Sequence, residues 1–246
     1  MKNIKFALVG HGKLSKIVEQ VATERGHQIG LIINSKNLHE FTKENISKCD
    51  VAIELTSPEN AFDNILKCID YKIPVVSGTT GWYTHLPDAE KYCKEQNGSM
   101  LTATNFSPGV NIFFKINEQL ASYINKLKDY HISIDETHHI HKKDHPSGTA
   151  STLASGIFEN HKDYHIIKAF LEKETVEVKS GELPILSRRD GEVPGTHQVN
   201  YDSAIDSIQI THTAHNRNGF ALGAVLAAEY IYNKRGVFSM GDVLGL

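Results

Sequence analysis

Ile4-Lys5-Phe6-Ala7-Leu8-Val9-Gly10-His11-Gly12, residues 4–12, is a short apolar run that breaks into two glycines. The run is rich in strand formers. After it, Leu14, Ile17, Val18, Val21 and Ala22 recur at helical spacing, and Gly26 stands where a left-handed residue closes a helix. Strand, glycine turn and helix in this order suit a dinucleotide-binding unit. The glycines permit a tight turn and let backbone N–H groups approach a pyrophosphate at the helix N-terminus. Gly10, His11, Gly12, Lys13, Leu14 and Ser15 are therefore candidate cofactor contacts. Ser15 stands where the third glycine of G-x-G-x-x-G belongs, so the fingerprint is incomplete. An ordinary strand–helix link also carries glycine, and the turn alone does not separate the two readings.

Outward from this turn the alternation of strand and helix continues. Apolar runs recur at 29–33, 51–55, 74–77 and 100–103, separated by helix-compatible segments at 61–70 and 88–94. Continuous apolar strands are expected where helices cover both faces of a parallel sheet, so the first hundred residues predict a Rossmann-like, doubly wound α/β domain. Strand two ends at Asn34, where such folds place an acid on the adenosine ribose. Without a carboxylate there to repel a 2′-phosphate, and with Lys36 close by, NADPH is as open as NADH. Asn34 also reads as a plain turn residue. Gly78, Thr79 and Thr80 follow one strand, and Ala103, Thr104, Asn105 and Phe106 follow another. Both loops fall at carboxyl ends of sheet strands, where ligands bind.

The middle of the chain has another texture. Residues 111–126 read as a helix burying Phe113, Phe114, Ile116, Leu120 and Ile124. Alternating strands are expected at 131–134, 176–179, 199–201 and 208–212, with a hairpin connection at 202–207. They predict an α+β region with a mixed or antiparallel sheet. Residues 219–232 are apolar nearly all round and predict a buried helix that returns to the first domain.

Composition narrows the function classes. The 246 residues are 40% hydrophobic and 22% charged with a formal net charge of -3, which gives no basis for a nucleic-acid or anionic-membrane binder. Cys49, Cys68 and Cys93 lack metal-type spacing and leave an odd one out, so a reducing cytoplasm is expected. The N-terminal apolar run is too short for a signal peptide, and no apolar stretch predicts a bilayer span.

Residues 135–149, Asp-Glu-Thr-His-His-Ile-His-Lys-Lys-Asp-His-Pro-Ser-Gly-Thr, concentrate the chemistry. Histidine exchanges protons near neutral pH, and a neighbouring lysine donates a proton or offsets a carboxylate. Pro146-Ser147-Gly148-Thr149 resembles a helix start, whose N–H groups and positive end suit a substrate carboxylate. Zinc binding by His138, His139, His141 and His145 competes with this reading, but the run lacks a paired glutamate on a clear helix, and no metal is expected. A solvated loop with incidental histidines is the other alternative.

Glu136-Thr137-His138-His139-Ile140-His141-Lys142-Lys143-Asp144-His145-Pro146-Ser147-Gly148-Thr149-Ala150 resembles the signature of the 4-hydroxy-tetrahydrodipicolinate (dihydrodipicolinate) reductase family. Gly78-Thr79-Thr80-Gly81, Asn105-Phe106-Ser107, Gly109-Val110-Asn111, Pro194-Gly195-Thr196-His197 and the run from Arg217 to Ala224 resemble family segments in the same order. The resemblance implies an NADH- or NADPH-dependent reductase of a small dicarboxylate in lysine and diaminopimelate biosynthesis. It implies His138 as acid/base, Lys142 as proton donor, and His139, Gly148 and Thr149 on the substrate carboxylates. Residues 1–107 and 216–246 would form the dinucleotide-binding domain, and 108–215 a substrate-binding domain that also joins a homotetramer. Ser15, Asn34 and His145 depart from the family pattern. Another Rossmann-type amino-acid dehydrogenase, a non-catalytic dinucleotide-binding regulator and a metal-dependent hydrolase are the rival functions.

Overall fold

Both faces of β1 (Lys5–Val9) are buried in the computed structural model, which describes residues 3–127 and 129–246. Phe6 and Leu8 join one apolar cluster, while Ala7 and Val9 join another on the opposite side of the sheet. That double burial explains why the strand reads as an unbroken apolar run. The chain divides into two units, Met1–Pro108 with Arg217–Leu246, and Gly109–Asn216.

In the first unit β1 leads through α1 (Lys13–Glu24) to β2 (Gln28–Ile33). Gly26 adopts φ +85°, and the Gly26 and His27 amides bond Thr23 and Ala22 carbonyls, the left-handed closure that its position predicts. The short α2 (Lys43–Ile46) precedes β3 (Val51–Glu54), and α3 (Pro58–Asp70), β4 (Val75–Ser77), α4 (Leu86–Glu95) and β5 (Ser99–Thr102) follow. With β11 (Gly236–Phe238) at one edge, the sheet order is β11-β5-β4-β3-β1-β2, all parallel. The sequence reading did not anticipate this edge strand. Since β1 sends its crossovers to opposite sides, the carboxyl ends of β1 and β3 open a crevice at a topological switch point.

Helix α5 (Pro108–Ile124) leads into the second unit, with β6 (His131–His138), α6 (Gly148–Asn160), β7 (Ile166–Leu171), β8 (Glu182–Arg189), β9 (Thr196–Asp202) and β10 (Ser207–Thr213). Its sheet order is β10-β9-β6-β8-β7; β9 runs antiparallel to β6 and β10, whereas β8 runs parallel to β6 and β7. The sheet is therefore mixed. Ile132, Ile134, Leu183, Ile185, Val199 and Tyr201 meet Leu153, Ala154 and Ile157 of α6 and Phe113 and Ala121 of α5 in one core. The chain then returns to the first unit through α7 (Asn218–Ile231) and α8 (Met240–Leu244). Ala221, Ala224, Val225, Ala227 and Ala228 of α7 are buried in the same cluster as Phe6 and Leu8.

Two expectations need correction. Residues 176–179 are not a strand: Val178 is exposed, and Lys179 and Glu182 close a turn on each other. The strands lie on either side, in β7 and β8. Ile116 is 46% exposed because α5 turns it away from the face that carries Phe113 and Ile124.

Candidate active site

In the first unit the glycine turn is sterically fixed. Gly10 has φ +96°, and a Cβ there would lie 2.2 Å from the Leu55 carbonyl oxygen. Only glycine fits. Gly12 is the N-cap of α1 and supplies no side-chain cap, so the first-turn amides are oriented for a ligand oxygen. Ser15 is buried one turn further on, small enough to keep α1 close to the sheet.

Two clefts flank the turn. One, of about 400 Å³, is lined by Gly10, His11, Gly12 and Asn34 together with Leu55, Thr56, Ser57, Asn60 and Asn64. The other, of about 330 Å³, is lined by Gly12, Lys13, Leu14, Ser15, Gly78, Thr79 and Thr80 with Leu55, Thr56 and Pro58. A cradle that excludes a Cβ, beside an uncapped helix start and two adjoining clefts, fits an extended dinucleotide. Ala103, Thr104, Asn105 and Phe106 line neither cleft. The Ala103 carbonyl accepts from Tyr83 Oη at 3.1 Å, Asn105 Oδ1 accepts from the Ser107 amide, and Phe106 is buried in the core. Sequence reasoning passed over the β3–α3 loop, although Thr56-Ser57-Pro58 follows a strand as Gly78-Thr79-Thr80 does.

Beneath these loops lies Glu54, fully buried at the end of β3. Its Oε1 accepts from the Thr56 amide at 2.9 Å, from Thr79 Oγ1 at 3.0 Å and from the Thr56 hydroxyl. Its Oε2 accepts from Ser77 Oγ at 2.6 Å. One carboxyl group thus ties the ends of β3 and β4 together under the clefts.

In the second unit, strand alternation sends Ile132, Ile134, Glu136 and His138 of β6 to the same buried face. Pairing sets Glu136 opposite Ser187 of β8 and His197 of β9. The apolar core therefore gives way, along one face, to a buried polar cluster. Glu136 Oε1 accepts from Ser187 Oγ at 2.7 Å, and the Ser147 amide donates to both Oε1 and Oε2, at 3.1 and 3.2 Å. Its Oε2 is 3.6 Å from both His138 Nδ1 and His197 Nε2. Ser147 N-caps α6, its Oγ accepting from the Ala150 amide and lying 3.0 Å from His197 Nε2.

The electrostatics follow from these neighbours. Burial pushes the Glu136 carboxyl up, but His197, Ser147, Ser187 and the charge of His138 together hold it down at about 2. Burial lowers His138 to about 4, helped by His197, Lys142 and Arg189 and opposed by Glu136. At neutral pH the pair is a carboxylate beside a neutral imidazole. Lys142 Nζ forms a 2.7 Å ion pair with Asp144 Oδ2, and Arg189 clamps the backbone by donating to the carbonyls of Lys142 and Asp144. His139 is partly buried with its ring 6.0 Å from that of His141, which itself pairs with Glu192. Gly148 and Thr149 open α6, directly after the N-cap that Glu136 anchors.

The zinc reading of the histidine run takes a different form here. His138 groups with Glu136 and His197, not with His139, His141 or His145. Glu136, His138 and His197 present donor atoms within 4.8 Å of one another, close enough to share a cation. Serine hydroxyls and an amide already engage Glu136 and His197. Glu136, Ser187 and His197 have no role in the sequence reading: strand alternation sets Glu136 beside His138, and only strand pairing brings Ser187 and His197 to them.

Among the described residues no helix is long and apolar enough to cross a membrane, and all three cysteines are free and buried. Residues 4–106 match the family model described as dihydrodipicolinate reductase, N-terminus, and residues 109–244 match that for the C-terminus. The chain is 43% identical, over 98% of its own length and 98% of the relative's, to the 4-hydroxy-tetrahydrodipicolinate reductase of Christiangramia forsetii. It is 38% identical to a protein of the same name from Methanocaldococcus jannaschii, covering 89% of this chain and 79% of that one. A solved structure of dipicolinate-bound dihydrodipicolinate reductase from Paenisporosarcina sp. TG-14 superposes with a TM-score of 0.81 at 22% identity, covering 98% of this chain and 99% of that chain. At that identity the likeness speaks for the fold. An amine dehydrogenase from Mycobacterium smegmatis shares the fold more loosely, with a TM-score of 0.60 at 9% identity, covering 97% of this chain and 95% of that one. Both halves of the chain, and nearly its full length, match in the same direction: the chain belongs to the dihydrodipicolinate reductase family.

Proposed function

We propose that the chain reduces 4-hydroxy-tetrahydrodipicolinate to tetrahydrodipicolinate with NADH or NADPH, using His138 and Lys142 as its proton-handling groups. Membership of the reductase family supports the reaction, and the observation that carries the residue roles is the buried His138 beside the anchored start of α6. The bound nucleotide supplies the hydride, delivered to C4 of the unsaturated ring. The net change takes up one hydride and one proton and releases one water. Everything else falls to side chains and amides.

The substrate is a dianion, and the positive end of α6 with the Gly148 and Thr149 amides offers it N–H donors. His139 adds a ring on the neighbouring backbone. Lys142 supplies the proton that enters the ring carbon next to C4. His138, neutral at pH 7, accepts a proton and relays it. Two cationic groups near the site, Lys142 and Arg189, offset substrate charge. Gly10–Ser15, Asn34 and Gly78–Thr80 would hold the nucleotide along the clefts, and Ala103–Phe106 would support it from the end of β5. Residues 1–107 with 216–246 serve as the dinucleotide-binding domain, and 108–215 as the substrate-binding domain. The sheet face that carries Ser133, Asp135, Gln198 and Asn200, opposite α5 and α6, joins the subunits of a cytoplasmic homotetramer.

A coupled assay tests the reaction. Dihydrodipicolinate synthase supplies fresh substrate, and loss of reduced-nicotinamide absorbance is followed with each nucleotide in turn. Turnover with at least one is expected; none with either, in folded protein, overturns the assignment.

A further inference from the structure

We infer that Glu136 is a positioning residue that holds the His138 imidazole in its Nδ1-protonated form, leaving Nε2 as the atom that meets the reacting ring. The inference rests on His138 serving the reaction proposed above. It concerns a residue for which neither the sequence reading nor family membership supplies a role.

Three observations carry it. First, the Glu136 carboxyl cannot turn away from His138. Ser187 Oγ holds its Oε1 and the Ser147 amide donates to both oxygens, at 3.1 and 3.2 Å, which fixes the carboxyl plane with Oε2 facing His138 Nδ1 and His197 Nε2, 3.6 Å from each. A proton on Nδ1 faces that oxygen favourably, whereas a bare lone pair on Nδ1 would face it in repulsion. Second, His138 Nδ1 is buried and accepts from or donates to no hydrogen-bond partner among the described residues, so the Oε2 charge at 3.6 Å acts on it without a competitor. Third, the opposite side of the ring is kept clear. Gly195 has φ +155°, and a Cβ there would lie 3.1 Å from His138 Nε2. The His197 ring stands edge-on to His138, with centroids 5.0 Å apart and planes at 73°, and walls the imidazole in.

The arrangement does two jobs with one carboxyl group. Through Oε1 it ties the N-cap of α6, where substrate carboxylates are received, to β6. Through Oε2 it fixes which nitrogen of His138 is basic. Outer partners that orient a working imidazole commonly matter nearly as much as the imidazole itself.

Glu136→Gln discriminates sharply because it keeps the Oε1 interactions while placing an NH₂ donor where Oε2 was. That amide donates to Nδ1 and drives the proton to Nε2, the wrong tautomer for the role. The experiment is a long-range ¹H–¹⁵N spectrum of histidine-labelled full-length protein at neutral pH without substrate, with His138 assigned by its loss in His138→Gln. The wild type is expected to show protonated Nδ1 and pyridine-like Nε2. Glu136→Gln is expected to reverse the two, lowering kcat by at least about tenfold while KM for the substrate changes far less. Protonated Nε2 in the wild type overturns the inference, as does an unchanged tautomer or an unchanged kcat in Glu136→Gln. If that variant does not fold, the wild-type spectrum alone decides. Because the spectrum is read without substrate, a protonated Nδ1 in a protein that turns nothing over would sink the proposed reaction and leave the tautomer assignment standing.

Discussion

Glu54 and Glu136 are the same device put to different uses. Each is a fully buried carboxyl group close to the carboxyl end of a strand, and each accepts from hydroxyls and an amide of neighbouring segments. Glu54 has only such partners: Thr56, Ser77 and Thr79. Hydroxyls and amides do not change charge in the working pH range, so Glu54 is a static brace under the nucleotide clefts. Glu136 is held in the same way by Ser187 and the Ser147 amide, but its Oε2 also faces two imidazoles. Imidazoles do change charge, and the brace becomes part of the proposed proton-handling site. What surrounds a buried carboxyl group, more than its burial, decides whether it serves architecture or chemistry.

The largest effect that separates the two regions is expected on the Glu136 side. Lys142→Ala should lower kcat by roughly 10²–10⁴, the usual range for a lost proton donor, and leave nucleotide affinity intact. Steady-state kinetics with a nucleotide-binding titration check this. Equal losses in turnover and nucleotide affinity would mean that Lys142 belongs to the cofactor side and that the division of labour is wrong.

Glu54→Ala should do the reverse. It strips a partner from the buried hydroxyls of Ser77 and Thr79, and at about 1–3 kcal/mol per orphaned group a loss of roughly 3 kcal/mol in stability is expected. Denaturant unfolding measures it. Glu54→Gln, which keeps most of the shape, should raise KM for the nucleotide and spare kcat at saturating nucleotide. A fall in kcat matching that of Lys142→Ala would make Glu54 more than a brace.

The sequence exposes one side of this comparison better than the other. β1, β3, β4 and β5 are legible because double burial leaves them continuously apolar. The glycine turn is legible because its positive φ calls for glycine directly after an apolar strand. β8 is hidden: Leu183, Ile185 and Ser187 point inward, but Pro184 and Leu186 blur the alternation, and a proline argues against a strand. Val176-Glu177-Val178-Lys179 misleads the other way, alternating cleanly on an exposed segment. Within the site, His138, Lys142 and the start of α6 are close in sequence and stand out together. Glu136 has its partners through Ser187 and His197, which reach it only by β6–β8 and β6–β9 pairing. Glu54 likewise meets Thr79 only once β3 pairs with β4. Local chemistry shows in a sequence; the second oxygen of a buried carboxyl group does not.

The smallest expected effect lies at the rim of the nucleotide cleft, at Asn34. The residue closes β2 and lines the cleft beside Gly10, with its Oδ1 accepting from the Lys36 amide at 2.9 Å. Asn34→Asp keeps that acceptor and so keeps the turn. It adds a carboxylate where the proposed nucleotide site would receive ribose hydroxyls, which favours NADH and repels a 2′-phosphate. The ratio of kcat/KM for NADH over NADPH should rise by roughly tenfold, about 1.4 kcal/mol, with kcat little changed for either nucleotide. Glu136 and its imidazoles are untouched by this substitution, so the proton-handling side should not register it. An unchanged ratio would place the ribose elsewhere along the cleft, and a fall in kcat with both nucleotides would mean that the rim and the chemistry are coupled.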